Sequence, residues 1–237
     1  MNILHRIKAI FIKPQPTTEQ QVAKLQERYG YEQNDAETEY PTTEQQVAKL
    51  QGQYSDVLTS LLYSPETDVF LRQELLPFLD APEPYNGYLE HDHWKQKHPF
   101  NFPGPFYTGE SDSCGTGIVA PHNVMFGEYC SEYISKQPTS WHELVCVLEA
   151  AAIEVFDSYS CNGNKHWTYE LCKEWWAKKY EIVTYLCTPE AKKEYGDHAK
   201  RYIHYLNTEA ETDLRRYCFF LLYGYYPAPT ATDLPPL

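Results

Sequence analysis

The stretch "SWHELVCVLEAAAIEVFDSY" (residues 140–159) decides the fold class. Ser140 can accept a hydrogen bond from a backbone N–H three residues on, and Glu143 can reach back, which predicts a capping box. Leu144, Val147, Leu148, Ala151 and Val155 then recur at the three- and four-residue spacing of one helical face. The same period continues downstream. "WTYELCKEWWAKKYEIVTYL" (167–186) predicts a helix with Leu171, Trp175 and Ile182 inward. "TPEAKKEYGDHAKRYIHYL" (188–206) opens with Thr188 as N-cap and Pro189 at the first helical position, and carries the stripe Ala191, Tyr195, Ala199, Tyr202 and Leu206. "NTEAETDLRRYCFFLLYGYY" (207–226) turns Ala210, Leu214, Tyr217, Cys218 and Leu221 inward and stops at Gly224. The closing "PAPTATDLPPL" reads as a Pro-rich tail with no core to join.

Upstream the pattern changes. "SPETDVFLRQELLPFL" (64–79) predicts a helix with Pro65 at its start, Val69, Phe70, Leu71, Leu75 and Leu76 apolar, and an end before Pro77. Residues 80–121 are dense in proline, glycine and aromatic rings without periodicity, which predicts an ordered but irregular region. "NVMFGEYCSEYISKQ" (123–137) predicts a small hairpin turning near Gly127. The expected fold is therefore mainly α, with an irregular middle region that could hold a small β element (α+β being the alternative) and a helical C-terminal half.

An eleven-residue segment, "PTTEQQVAKLQ", stands at 16–26 and again at 41–51. Each copy is a helix start, with Thr as N-cap, Glu in the first turn and Val, Ala and Leu on one face. Two copies are too few for a solenoid. The acidic "GYEQNDAETEY" between them reads as a linker, so the first copy is the added one. The expected organisation is an N-terminal appendage over 1–40, one globular domain over 41–223 and a tail over 224–237.

With 42% hydrophobic and 15% aromatic residues, including 21 tyrosines, the chain should fold rather than stay disordered. Its net charge is −13, and residues 14–139 hold 19 acids against 7 bases. Such a field repels nucleic acid and speeds encounter with a cationic partner. Seven cysteines without a CxxC pair, no signal peptide in "MNILHRIKAIFIK" and no apolar run of membrane-spanning length predict a cytoplasmic chain with buried thiols, no membrane partner and no cofactor.

The most site-like stretch is "FPGPFYTGESDSCGTG" (102–117). It lacks the Gly-Lys-Ser/Thr of a phosphate loop, and Pro121 follows too closely for a dinucleotide fingerprint. Cys114, among small residues, is a candidate nucleophile with His122 or His166 as base. The competing reading makes Cys114 a small buried hydrophobe in a rigid loop. In "HDHWKQKH", His91, His93 and His98 are weak metal candidates, and Cys161, His166 and Cys172 do not have usual zinc spacing.

Three stretches carry a resemblance: "FNFPGPFYTGESDSCGTGIVAPHNV" (100–124), "ISKQP" (134–138) and "GNKHWTYELCKEWW" (163–176). Over about residues 85–180 the chain resembles bacterial proteins found beside Rhs-type and other polymorphic toxins, which behave as candidate immunity proteins. The resemblance carries no active-site residues. It implies a cytoplasmic binder of a cognate toxin domain, and the acidity of the chain implies that this partner is basic. The expected contact residues are Glu90, Asp92, Glu110 and Asp112, with Tyr107 and Trp94 as aromatic anchors. The alternatives are a small cytoplasmic enzyme using Cys114 or a His91/His93 metal site, and an acidic nucleic-acid mimic from a phage or mobile element.

Overall fold

The computed structural model describes residues 41–55, 57–79, 89, 91–110, 115–126 and 131–237. The first copy of the duplicated segment, the acidic linker, Glu90, Asp112, Cys114 and Gly127 lie outside the described residues. What is described is mainly helical, with two two-stranded antiparallel sheets in the middle region.

The second copy of the repeat forms α1 (Thr43–Tyr54). Its N-cap is Thr42, whose hydroxyl accepts from Gln45 N–H while the Gln45 side chain accepts from Thr42 N–H, a complete capping box. Leu50 is buried, and Val47 and Tyr54 pack beside it, but Ala48 stands outside the expected face. After the short α2 (Leu58–Leu62) comes a helical rod, α3, made of an α-turn (Thr67–Phe70), a π-helical segment (Leu71–Leu75) and a further α-turn (Leu76–Phe78). The expected stop before Pro77 does not occur. The wider π segment ends just before the proline and restarts an α-turn in which Pro77 takes an early position, where no N–H is needed.

The strands are β1 (Tyr107–Thr108), β2 (Val124–Phe126), β3 (Glu132–Ile134) and β4 (Tyr159–Ser160); β1 pairs with β4 and β2 with β3. The β2–β3 pairing matches the hairpin expected from the sequence, its turn lying outside the described residues. Its register opposes Val124 to Ile134 and Met125 to Tyr133. Because side chains alternate along a strand, Val124 and Ile134 join one hydrophobic core while Met125 and Tyr133 join another. The first core is built by α1–α3 and α4 (Trp141–Ile153). The second is built by α5 (Tyr169–Ala177), α6 (Lys179–Leu186), α7 (Pro189–Tyr195), α8 (Asp197–Thr208) and α9 (Ala210–Tyr223).

Residues 167–186, read as one helix, form two, broken at Lys178. Trp175 and Ile182 are buried as expected, and Leu171 is half-buried. Ser140 and Thr188 cap their helices and Gly224 stops the last one in the left-handed conformation, as the sequence predicts. Glu143, however, accepts from Thr139 N–H and hydroxyl, so no capping box closes on Ser140. Residues 188–206 form two helices broken at Gly196, with the whole stripe from Ala191 to Leu206 buried. Val155 departs from expectation: α4 ends at Ile153, and Val155 stands 76% exposed.

The tail also differs from its reading. Arg215 donates from Nε to Pro235 O (2.8 Å) and from Nη2 to Leu234 O (2.6 Å), and Arg216 Nη2 donates to Pro229 O (2.7 Å). Tyr169 donates to Pro236 O (2.7 Å), Tyr226 stacks on Tyr63 at 4.1 Å, and Leu237 packs against the second core. The tail forms no helix or strand, and these carbonyls are met by guanidinium and phenolic donors from the helices.

Candidate functional site

A buried loop must find partners for its backbone groups. Two amide side chains supply them here. Asn101 Oδ1 accepts from Thr108 N–H (3.1 Å) and Ile134 N–H (2.9 Å), while Nδ2 donates to His98 O (2.9 Å) and Thr108 O (2.8 Å). Gln137 Nε2 donates to the Phe102 and Phe106 carbonyls (both 2.8 Å), and Oε1 accepts from Phe106 N–H (3.1 Å). The proline- and glycine-rich segment around "FPGPFYTG" is thereby fixed as rigid scaffold. The fully buried Glu132 fixes the next segment, accepting from Gly117 N–H (2.7 Å) and the Tyr159 hydroxyl (3.0 Å).

The turn "CNGNKHW" (161–167) locks this loop to both cores. Asn164 Nδ2 donates to Leu62 O (2.9 Å) in the first core, and its Oδ1 accepts from the Tyr217 hydroxyl (3.1 Å) in the second. Lys165 Nζ lies 2.7 Å from the buried carboxylate of Asp68, which Arg72 also meets at 3.1 Å. Burial pushes the Asp68 carboxyl up, but the hydrogen bonds and charges of Lys165 and Arg72 outweigh it and hold the group below the usual range. Gly163 packs so closely that a Cβ there would collide with the Gly104 carbonyl oxygen.

On this frame stands an acid–aromatic cluster. The Tyr107 hydroxyl is 3.0 Å from Asp92 Oδ1 and 2.7 Å from the Asn162 side-chain oxygen. Asp92 Oδ1 also accepts from Trp94 N–H (3.0 Å), and its Oδ2 lies 3.0 Å from His166 Nε2, out of line for a hydrogen bond. Burial opposes ionisation of Asp92, but the Trp94 N–H, Tyr107 and His166 prevail and keep its carboxyl below the usual range. Trp94 stacks on His166 (4.9 Å) and meets Tyr107 and Trp167 edge-on, with Lys97 Nζ 4.6 Å from its ring.

Beside this cluster the chain leaves α4 through an exposed apolar knob. Ile153, Val155 and Phe156 are 48%, 76% and 57% exposed. The knob is held stiffly from within: buried Glu154 accepts from the Phe156 and Ser158 N–H groups, both at 2.6 Å. Asp157 then contacts His91 Nδ1 through its carboxylate, and its carbonyl lies 2.6 Å from His93 Nε2. Ser158 O accepts from Gly109 N–H (2.8 Å), which sets Glu110 alongside.

Of the residues singled out from sequence, Asp92 (half-exposed side chain), Trp94 (half-buried) and Glu110 (exposed) gather at this surface. Tyr107 does not serve as an anchor. It is fully buried in β1 and acts by holding Asp92. The weak metal candidates divide: His91 and His93 meet at Asp157, whereas His98 is buried, stacked on Tyr133 (4.9 Å), with Nδ1 accepting from Phe100 N–H (3.1 Å). Burial lowers its pKa to about 4 and burial, followed by the charge of His91, lowers that of His93. Among the described residues no group of three His, Cys, Asp or Glu side chains is placed to hold a metal. Cys161 and Cys172 are buried thiols, and burial pushes Cys161 up to about 12. The knob itself was missed because Val155 fits the helical period. The signal that could have found it is the polar frame Glu154 and Asp157–Ser158 around two apolar residues.

No protein-family profile, curated protein or solved structure matches the chain. No described helix is long and apolar enough to cross a membrane.

Proposed function

We propose that this chain is a cytoplasmic immunity-type protein that binds and neutralises a basic toxin domain. The observation that carries the reading is the rigid knob of Ile153, Val155 and Phe156, exposed beside Asp92, Glu110 and Asp157. An exposed apolar anchor held by internal hydrogen bonds loses little freedom on docking, so its burial goes mostly into affinity. The acids around it and the net charge of −13 favour a cationic partner and speed its approach. Asp92 is suited to this part, since its neighbours keep it ionised.

The partner to test is any toxin domain encoded immediately upstream of this chain, where the resemblance implies a cognate partner. Phe156→Ala and Val155→Asp should each weaken binding about thirtyfold or more, chiefly through faster dissociation, with circular dichroism unchanged. Lys in place of Asp92 and Glu110 should slow association and flatten its dependence on salt. Unchanged affinity in all of these variants would overturn the reading. So would protection that disappears only on replacing Cys114 or His91, which would mark the chain as an enzyme.

A further inference from the structure

The described residues also include a concave surface rich in cationic and imidazole side chains. Between the loop at Pro121, the exit of β3 and the outer side of α8 lies a groove of about 400 Å3. Its floor is Met125, Tyr202 and Tyr205, all buried, and its rim carries His122, Lys136, His198, Lys200, Arg201 and His204, together with the carboxylates of Glu143 and Glu209. We propose that this groove is a binding site for a small phosphate-class dianion, independent of the surface argued above.

Its volume is that of a small-ligand pocket. The acids near it are already engaged. Glu143 accepts from Thr139 N–H (2.6 Å) and hydroxyl (2.8 Å) at the start of α4. Glu209 lies 3.5 Å from Lys136, and Asp197 lies 2.8 Å from Lys200. The donors are also arranged. Arg201 Nη2 donates to Pro121 O (3.3 Å) and lies 2.9 Å from His198 Nδ1. Since a guanidinium can only donate, it makes Nδ1 the acceptor and leaves the His198 proton on Nε2, so this groove-lining ring keeps one donor. Two further imidazoles, His122 and His204, line the same space, and with Arg201 and His198 they suit a compact oxyanion with several acceptors better than a single carboxylate. Lys136 and Lys200 are paired with Glu209 and Asp197. Burial, then Arg201 and His122, lower the pKa of His198, with Asp197 opposing; a dianion in the groove acts in the opposite direction.

The test is a titration of the full chain with sulfate, whose charge is constant between about pH 5 and 8, and with inorganic phosphate, followed by histidine-resolved NMR. Saturable shifts confined to His122, His198 and His204 are expected at millimolar concentrations or below, with the His198 ring titrating at higher pH when sulfate is bound. Arg201→Gln should weaken sulfate about tenfold or more, corresponding to the loss of one charge-assisted contact. Because Arg201 also holds Pro121, the paired change His122→Asn with His204→Asn provides a second variant that leaves that contact in place, and it too should weaken sulfate severalfold. Shifts spread evenly over the surface histidines, or affinity unchanged in both variants, would overturn the assignment.

Discussion

At the scale of single residues, His98 shows how burial converts a common side chain into a pH-sensitive element. Its ring stacks on Tyr133 and accepts from Phe100 N–H, so the folded protein needs it neutral. Burial lowers its pKa from 6.5 to about 4. Between those values the unfolded chain binds a proton that the folded chain refuses, so stability falls as pH drops from about 6.5 to about 4 and is fully present above that window. The contribution is roughly 3 kcal/mol. Urea denaturation at pH 7 and pH 4.5 should show most of this loss, and His98→Phe, which keeps an aromatic ring, should lower stability at pH 7 but remove this part of the slope. An equal slope in the variant would show that His98 is not the group responsible. Glu132 and Glu154 illustrate the same economy: each is buried, and each is met by backbone N–H groups of a neighbouring turn.

At the scale of elements, the turn 161–167 is the part on which the others depend. It contributes Asn162 to Tyr107, Asn164 to both cores, Lys165 to Asp68 and His166 to Trp94. Gly163 lets it close on Gly104, and the obstacle to any larger residue is backbone, which cannot step aside. Gly163→Ala should therefore cost about 3 kcal/mol or prevent folding. Gly196→Ala offers the contrast. Nothing crowds that position, but its φ of 52° with ψ of −121° lies outside the wells open to alanine, so the cost should be about 2 kcal/mol, from backbone strain alone. Thermal denaturation of the two variants ranks them, and equal losses would contradict the distinction between collision and backbone strain.

At the scale of the whole molecule, two cores share the β2–β3 pair as a partition, with Val124 and Ile134 on one side and Met125 and Tyr133 on the other. The tail closes the second core. Deleting residues 230–237 removes the acceptors of Arg215 and the packing of Leu237. The expected result is a loss of about 1–3 kcal/mol in urea with helical content retained. An unchanged midpoint would mean that the tail adds nothing to the core.

The helical C-terminal half was legible because its signals are local. A cap at Ser140 or Thr188, a proline at position 189 and a stripe from Ala191 to Leu206 need only near neighbours to act. The β2–β3 pairing was legible for the same reason, the expected turn near Gly127 lying outside the described residues. The continuation of α3 through Pro77 and the exposure of Val155 were not, since each depends on where a chain segment meets another. The candidate site was read in part: Asp92, Trp94 and Glu110 were named from charge and aromaticity, but the knob beside them, the role of Tyr107 and the cationic groove on α8 come from residues far apart in sequence. Periodicity and capping are properties of a few consecutive residues, so the sequence by itself determined the class, the helix starts at Ser140 and Thr188 and the buried stripes, while the breaks at Lys178 and Gly196 came with packing. Which face stays uncovered is settled only when the two cores, the Asn164 turn and the tail have all been packed, because exposure is a property of the finished surface.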